Sequence, residues 1–574
     1  MARHSAAHYF LEGLVDLGVE YLFANLGTDH VSLVEELARW KSEGRAHPRV
    51  VLCPHENVAI HMAGGYAAMT GRGQAIIVHV DAGTANAAVG VHNLFRARLP
   101  VLLMAGKAPY TVRGELPGSR DNYVHFVQDP FDMASIVRPY VKWEYTLHSG
   151  VVVKEVLRRA QAVMQSDPPG PVYLTLPRET LAASWDEADV RAFPAERYGA
   201  VAAGGTDPQR ARAIADRLLA AKNPIAVTAY LGRKPEAVTQ LDALARECGI
   251  RVYEFNPVYL NIPHDSPCFA GFDPAPALAD ADVGLLLDVD VPWLPKYARE
   301  NPATHWIQID IDAIKKDFPV WGFPAGQRVQ GDCATVLAQV LEFVRAGAGD
   351  DFRARAVRRI ASWEPRRQER ERSVAAAAAQ TGSRDAISPS FVCARLNKAI
   401  GADDFVINEA IRGAGAVLSQ IERTRPQTLF GVAGTGLGFS GGMALGVKLA
   451  RPDRRVVQIA GDGVFHFSTP DSVYAVAQQY RLPIFTVVLD NGGWQAVKES
   501  VLRVYPEGMA AQVDEFQARL RGDGVRRFEQ VAQAFGAHGE CVGDPDEVDG
   551  AIRRCLAAVD GGRAAVLVAR VTPL

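Results

Sequence analysis

The stretch between residues 456 and 494 constrains the fold of this chain more than any other. Two continuous apolar runs, Val456–Ala460 and Ile484–Leu489, predict buried strands of a parallel sheet. Between them, Pro470–Arg481 has the apolar spacing of a helix. Because a right-handed crossover joins parallel strands, both strands end at the same edge of the sheet. The sequence therefore predicts an α/β fold built on doubly wound parallel sheets.

Both predicted strands run into polar, glycine-rich turns, Gly461–Gly463 and Asp490–Gly493. Carboxylate, amide and backbone carbonyl oxygens are the ligands that Mg²⁺ prefers. The glycines let a diphosphate approach the backbone, and Gly463 and Val464 offer N–H groups to it. A Gly-Asp-Gly turn alone is also common on protein surfaces. Here two such turns follow neighbouring buried strands, which favours a metal and diphosphate site.

This pattern resembles the signature of the thiamine diphosphate-dependent enzymes, of the acetolactate synthase and benzoylformate decarboxylase type. The family usually ends the motif with two asparagines, whereas this chain has Asp490-Asn491, with Asn491 in register. The resemblance implies thiamine diphosphate and Mg²⁺ as cofactors. It implies as metal ligands Asp462, Asn491 and the backbone oxygen of Gly493, and as further cofactor contacts Gly461, Gly463 and Val464.

Glu56 is the first catalytic candidate. The segment from His55 to Ala67 is similar to the family segment H-E-x-x-x-x-x-M-A-x-G-Y-A, whose glutamate contacts the aminopyrimidine ring of the cofactor. A carboxyl group there promotes the imino tautomer that removes the C2 proton of the thiazolium. Without the resemblance, Glu56 is also explained as an acid in the first turn of a helix, stabilised by the helix dipole.

His79 and Thr28 are candidates on the substrate side. The segment from His79 to Asn86 resembles one in benzoylformate decarboxylases, where a histidine at a strand end faces the substrate. Thr28 corresponds to the active-site serine of the same enzymes, and Asp29 and His30 beside it are weaker candidates. A histidine that titrates near neutrality can carry protons. The alternative for His79 is a hydrogen-bonded core residue.

Three further residues are assigned by the resemblance. Gln128 corresponds to a glutamine that approaches the cofactor, although an ordinary loop residue is an equal alternative. Gly436 and Leu437 lie in a segment similar to the family's G-x-x-G-F motif. The resemblance places Leu437 under the cofactor, where it props the bent conformation, and the alternative is a packed core leucine.

The chain divides into three predicted α/β domains. The resemblance implies a pyrimidine-binding domain over 1–181, a central domain over 206–345 and a diphosphate-binding domain over 386–574, with linkers over 182–205 and 346–385. No Gly-x-Gly-x-x-Gly fingerprint follows a strand of the central domain, which disfavours bound FAD. A visible absorption spectrum tests for it.

Composition excludes several classes of function. The 62 basic and 65 acidic residues are balanced, with no basic stripe for nucleic acid and no apolar run of membrane-spanning length. Seven cysteines are scattered without a CxxC pair, which predicts a reduced, cytoplasmic protein.

The sequence predicts an enzyme that makes or breaks the bond next to a carbonyl group. The favoured reaction is decarboxylation of a 2-oxo acid with carboligation as an option, and a 2-hydroxyacyl-CoA or oxalyl-CoA type lyase is the alternative. A catalytically silent scaffold or regulatory subunit is an alternative of another class. The resemblance also implies a homodimer or homotetramer with active sites at the subunit interface.

Overall fold

Three six-stranded sheets form the framework of the molecule. The structure is a computed structural model that describes residues 2–520 and 526–573. Every strand pair within these three sheets is parallel, and their central strands are buried along nearly their whole length. Parallel sheets occur where both faces are covered, which explains the continuous apolar runs. The predicted fold class is confirmed.

The first sheet carries the amino-terminal candidate residues. The first and third of its strands in the chain lie side by side, and the fifth lies outside the sixth at one edge. The strands in spatial order are Arg49–Leu52, Tyr21–Ala24, Gln74–Val78, Val101–Lys107, Val172–Pro177 and Glu144–Thr146. The helices of this part are Ala6–Asp16, Val31–Ser42, Glu56–Thr70, Val80–Arg96, Val124–Val127, Val153–Gln165 and Arg178–Ala182.

The central sheet has a different order, in which its first and fourth strands in the chain are neighbours. The strands in spatial order are Phe269–Gly271, Arg251–Glu254, Pro224–Thr228, Val283–Leu287, His305–Asp310 and Gln327–Gln330. The helices are Pro208–Ala220, Pro235–Cys248, Ala275–Leu278 and Cys333–Gly347, followed by the connecting helices Asp350–Ser362 and Glu364–Ala379.

The third sheet repeats the strand order of the first. The strands in spatial order are Leu429–Phe430, Phe405–Glu409, Val456–Gly461, Phe485–Asp490, Ala565–Arg570 and His538–Val542. The helices are Pro389–Ala399, Ala414–Gln420, Ser440–Ala450, Asp462–Phe467, Pro470–Tyr480, Gln495–Val504, Met509–Gln512, Phe528–Gln533 and Val548–Asp560. In such sheets ligands bind at the carboxyl ends of the strands, where the strand order reverses.

Several boundaries differ from the sequence-based expectation. His79, expected at a strand end, stands in the turn between the strand Gln74–Val78 and the helix Val80–Arg96. The segment 182–205, predicted as a linker, contains the strand Ser184–Asp186, which pairs with Arg3–Ser5, and the short helix Ala195–Tyr198. A second small antiparallel pair joins Gly382–Ser383 to Ala386–Ile387.

Two glycine-rich helices, Glu56–Thr70 and Ser440–Ala450, bring the first and third sheets together. A Cβ on Gly65 would lie 2.2 Å from the carbonyl oxygen of Met443, and one on Gly446 would lie 2.0 Å from that of Met62. Both distances are shorter than van der Waals contact, so only glycine permits this approach. The packing sets the start of one helix, at Glu56, beside the loop that leads into the other.

No helix among residues 2–520 and 526–573 is long and apolar enough to cross a membrane.

Candidate active site

Two carboxylates meet at the carboxyl edge of the third sheet. Asp462 follows the strand Val456–Gly461, Asp490 ends the adjacent strand Phe485–Asp490, and both side chains are 2% exposed. Nη2 of Arg526 lies 2.5 Å from Asp462 Oδ2 and 2.5 Å from Asp490 Oδ1. Burial raises the pKa of Asp462, and Arg526 opposes that rise by stabilising the charged form. One cation thus neutralises two carboxylates at this point.

Two glycine-containing turns flank these carboxylates. Gly461 is the N-cap of the helix Asp462–Phe467, so Gly463 and Val464 lie in a first turn whose N–H groups lack helical acceptors. Gly492 has φ +94°, and a Cβ there would meet nothing within 4 Å. Oδ1 of Asn491 accepts a hydrogen bond from the Gly493 N–H at 3.3 Å.

Glu56 is the first residue of its helix and is 7% exposed. Its Oε2 accepts a hydrogen bond of 3.1 Å from Nδ2 of Asn86. A Cβ on Gly83, one helical turn after His79, would lie 3.2 Å from Glu56 Oε1. The predicted residues Glu56 and His79 therefore share one edge of the first sheet.

The loop at Gly436–Gly438 faces the start of the Glu56 helix. Asn57 Nδ2 donates to the carbonyl of Gly438 at 3.2 Å. Asn93 holds Gly436 on both sides, donating to its carbonyl at 2.8 Å and accepting from its N–H at 3.0 Å. Leu437 is only half-buried in this loop, which is unlike a core leucine.

A buried carboxylate anchors the same loop. Glu409 is fully buried and accepts hydrogen bonds from the N–H groups of Gly438, Phe439 and Ser440. Burial raises the pKa of Glu409 to about 7, although the three N–H donors act in the opposite direction. Glu409 ends the strand next to the one that leads to Asp462. It therefore fixes the loop at Leu437 to the end of the strand Phe405–Glu409.

His79 forms a short pair with Asp29. Its Nδ1 lies 2.5 Å from Asp29 Oδ1, and the side chain is 24% exposed. The hydrogen bond and charge of Asp29 raise the pKa of His79, and burial only partly opposes them. His30 packs behind the pair, fully buried, and its Nδ1 accepts the N–H of Gly27 at 2.9 Å.

Thr28 is exposed at the same edge, and its Oγ1 lies 3.2 Å from Nε2 of His125. Gln128, half-buried on the loop that carries His125, interacts with the His79 side chain. The structure thus gathers four of the predicted side chains at one edge: Glu56, His79, Thr28 and Gln128.

Gly27 supports the imidazole of His79, which leads to a prediction. A Cβ on Gly27 would lie 2.0 Å from His79 Nδ1. We expect Gly27→Ala to push the ring away from Asp29, to lower the pKa of His79 and to reduce kcat by about 10²-fold, the contribution typical of a placed acid. The pH dependence of kcat and thermal unfolding check this. An unchanged profile in a folded variant would show that His79 does not depend on this contact.

Comparison with known proteins shows which family this chain belongs to. Residues 4–136 match the thiamine pyrophosphate enzyme N-terminal TPP binding domain, and residues 413–569 match the C-terminal TPP binding domain. Together the two matches cover half of the chain. This chain belongs to the thiamine diphosphate-dependent enzymes. The predictions of this family and of an enzyme are confirmed.

Relatives of this thiamine diphosphate enzyme extend over nearly its full length. Benzoylformate decarboxylase of Pseudomonas aeruginosa is 25% identical, with 97% of this chain and 96% of that protein covered. The acetolactate synthase large subunit of Haemophilus influenzae is 24% identical, with 97% and 93% covered. The solved structure of Rhodococcus jostii RHA1 thiamine diphosphate-dependent 4-hydroxybenzoylformate decarboxylase has the same fold, with a TM-score of 0.79, 19% identity and full coverage of both chains.

The donor set fits thiamine diphosphate with a divalent cation. Arg526 stands where a cation is required, between Asp462 and Asp490, and the helix start at Gly461–Val464 leaves N–H groups for a diphosphate. Asn57, the residue after Glu56, donates to the carbonyl of Gly438, the residue after Leu437. Glu56 at the edge of the first sheet suits an aminopyrimidine, and the turn at Asp462 at the edge of the third sheet suits a diphosphate.

Sequence reasoning missed the roles of four residues that complete this arrangement. They are Asn86, which holds Glu56, His125, which contacts Thr28, Glu409, which holds the Leu437 loop, and Arg526, which bridges the carboxylates. It also missed Asp490 as the carboxylate that shares Arg526 with Asp462. The helical spacing of Asn86 from His79 was the one available signal.

Proposed function

We propose that this thiamine diphosphate enzyme is a Mg²⁺-dependent decarboxylase of a 2-oxo acid. The observation that carries the proposal is the His79–Asp29 pair, in which the carboxylate favours the charged form of an imidazole at the same edge as Glu56. When bound, thiamine diphosphate supplies a carbon nucleophile and stores the electron pair that carbon dioxide leaves behind. The chain must then bind the acid and move protons.

Each predicted residue has a role in this proposal. Asp462, with Asn491 and the carbonyl of Gly493, holds Mg²⁺ and thereby the diphosphate. Glu56 holds a proton on the aminopyrimidine, and Asn86 fixes the carboxyl group in place. His79 faces the substrate carboxylate as a cation and afterwards donates a proton, because Asp29 favours its charged form.

Release of carbon dioxide tests the proposal. Pyruvate, benzoylformate and branched 2-oxo acids are supplied with Mg²⁺, with and without thiamine diphosphate. We expect cofactor-dependent release from at least one acid, and the preferred acid identifies the substrate. No release from any acid by protein that binds the cofactor would contradict a decarboxylase. Turnover of 2-hydroxyacyl-CoA or oxalyl-CoA would then identify the lyase alternative.

We also propose that two or four copies assemble, with a second copy covering the loop that carries His125. Large apolar side chains are exposed on this loop: Tyr123, Phe126, Val127 and Phe131. Contiguous exposed apolar surface of this kind is typical of interfaces. Light scattering checks the molar mass, and a monomer at micromolar concentration would contradict the assembly.

A further inference from the structure

A small cavity lies at one edge of the central sheet, apart from the first and third sheets that carry the candidate active site. Its volume is about 90 Å³, and it is lined by residues of the edge strand Phe269–Gly271, its neighbour Arg251–Glu254 and the connecting helix Glu364–Ala379. Four arginines line it: Arg251, Arg366, Arg367 and Arg370. None of the described residues that line it is an aspartate or a glutamate.

Arg251 is the most buried of these arginines. It is the first residue of its strand and is 7% exposed. Within residues 2–520 and 526–573, its guanidinium group has no hydrogen-bond or ion-pair partner. Buried charges in proteins are normally paired, because removing a charge from water is costly. A buried arginine without a partner therefore indicates that an anion from outside the chain completes the cavity.

Tyr253 is a second buried polar group of the cavity. It lies two residues after Arg251, so the two side chains leave the strand on the same face. Tyr253 is 6% exposed, and in the described part of the chain its hydroxyl group makes no hydrogen bond. Burial raises the pKa of this phenol, and the charges of Arg251, Arg366 and Arg370 each oppose that rise. Three cations thus act on one hydroxyl group, which stays protonated and can donate to an anion.

The other arginines differ in the partners they already have. Arg370 is half-buried and donates from Nη1 to the carbonyl of Phe269 at 3.0 Å, which leaves its other N–H groups for a ligand. Arg367 forms an ion pair with Glu364. Arg366 is exposed, so it adds positive charge on the solvent side of the cavity.

A phosphate group suits this arrangement better than a carboxylate. Guanidinium groups bind both anions through paired hydrogen bonds. A phosphate presents acceptor oxygens in several directions, whereas the two oxygens of a carboxylate lie in one plane. Here the donors come from two separate segments, the strand Arg251–Glu254 and the helix Glu364–Ala379. The small volume admits one such group, so an attached organic part would lie outside, beside the half-buried Trp363.

We propose that this cavity binds a phosphate group, either inorganic phosphate or the phosphate of a monoester, through Arg251, Arg370 and the Tyr253 hydroxyl. The proposal is independent of the proposed decarboxylase function, because none of these residues belongs to the candidate active site.

Bound phosphate would join the central sheet to the connecting helix Glu364–Ala379. That helix also contacts the part of the chain that forms the third sheet, where Nε2 of Gln420 donates to the carbonyl of Val374 at 3.0 Å. A ligand that binds only the folded protein raises its stability. We therefore expect phosphate to raise the unfolding temperature.

The test measures phosphate binding to the complete enzyme with Mg²⁺ and thiamine diphosphate, so that the cofactor already occupies any diphosphate site. Isothermal titration calorimetry uses sodium phosphate, with sodium chloride of equal ionic strength as the blank. We expect Arg251→Met to weaken phosphate binding at least about 10-fold, because it removes charge-assisted hydrogen bonds. Arg366→Gln should weaken it by about 3-fold, since this charge is exposed.

Arg358→Gln is the matched control. Arg358 is exposed on the neighbouring helix Asp350–Ser362 and does not line the cavity. The substitution removes the same charge from the same part of the chain, so a general effect of net charge on phosphate binding would appear in it as well. We expect wild-type affinity.

Thermal unfolding of Arg251→Met separates a binding arginine from a structural one. Without phosphate, the variant should unfold at the wild-type temperature or above, because an apolar side chain replaces an unpaired buried charge. With phosphate, only the wild type should gain stability. A structural arginine would instead lower the unfolding temperature equally in both buffers.

Phenyl phosphate distinguishes the two sources of the phosphate group. Binding at least about 10-fold tighter than that of inorganic phosphate, lost in Trp363→Leu, would identify a monoester whose organic part contacts Trp363. Equal or weaker binding would identify inorganic phosphate. In both cases the affinity should depend on Arg251.

Two results would overturn the phosphate site. One is neither a heat of binding nor a shift in unfolding temperature with about 10 mM of either compound. The other is equal affinity in the wild type, Arg251→Met and Arg366→Gln. Wild-type protein that binds phosphate in this way but decarboxylates no acid would overturn the proposed function alone.

Discussion

Glu56→Gln is expected to lower kcat for carbon dioxide release by about 10³-fold, equivalent to about 4 kcal/mol of transition-state stabilisation. An amide has the shape of the carboxyl group but cannot exchange a proton with the aminopyrimidine. The substituted side chain keeps a carbonyl oxygen that can accept the hydrogen bond from Asn86. The helix also retains its N-cap at His55. The loss should therefore appear in kcat and leave the fold intact.

A matched variant tests whether the loss of any buried carboxylate in this part of the chain would lower kcat as Glu56→Gln does. Glu36 is buried in the same part of the chain, where it contacts His8 and Trp40 away from the cleft. Glu36→Gln should keep the wild-type kcat per folded molecule, even if its unfolding temperature falls. A Glu56→Gln enzyme with more than a tenth of wild-type kcat would remove Glu56 from the proton path and weaken the proposed function.

The sequence predicted the parts of the site that depend on patterns of neighbouring residues, such as apolar runs and short segments. The strands before Asp462 and Asn491 are continuous apolar runs, and full burial in a parallel sheet imposes that composition. Glu56 was placed at a helix start because the small residues that follow it match a known segment. Those same small residues, Gly65 among them, permit the close helix packing that sets Glu56 beside the Leu437 loop.

The remaining parts depend on contacts between distant segments. Asn86 and Glu56 meet because their helices start after two strands that flank the strand Tyr21–Ala24. His125 contacts Thr28 from a loop that no sequence periodicity predicts. The role of Glu409 in holding three N–H groups of the Leu437 loop depends on the distance between two strands. Helix and strand propensities and the spacing of residues along the chain do not predict the distances between distant segments, because tertiary packing sets those distances.

Asp462→Asn is expected to remove the stabilisation that Mg²⁺ with thiamine diphosphate gives the protein. At a ligand concentration of 100 times Kd, the wild type should gain about 2.7 kcal/mol. Loss of a charged ligand should weaken binding at least about 100-fold, since even outer residues of metal sites contribute 10- to 100-fold. The gain at that concentration then falls to about 0.4 kcal/mol. Thermal unfolding with and without ligands measures the difference.

Arg526→Gln provides the control. It changes the surroundings of the same two carboxylates, but we expect it to increase the stabilisation by bound ligands, whereas Asp462→Asn decreases it. Without the guanidinium between them, Asp462 and Asp490 lose a shared cation 2.5 Å from each. The ligand-free protein should be less stable, since two buried carboxylates at short range repel each other. Mg²⁺ no longer has to displace a resident cation, so the ligand-induced gain should exceed that of the wild type. Equal gains in wild type, Asp462→Asn and Arg526→Gln would place the metal away from this edge of the sheet.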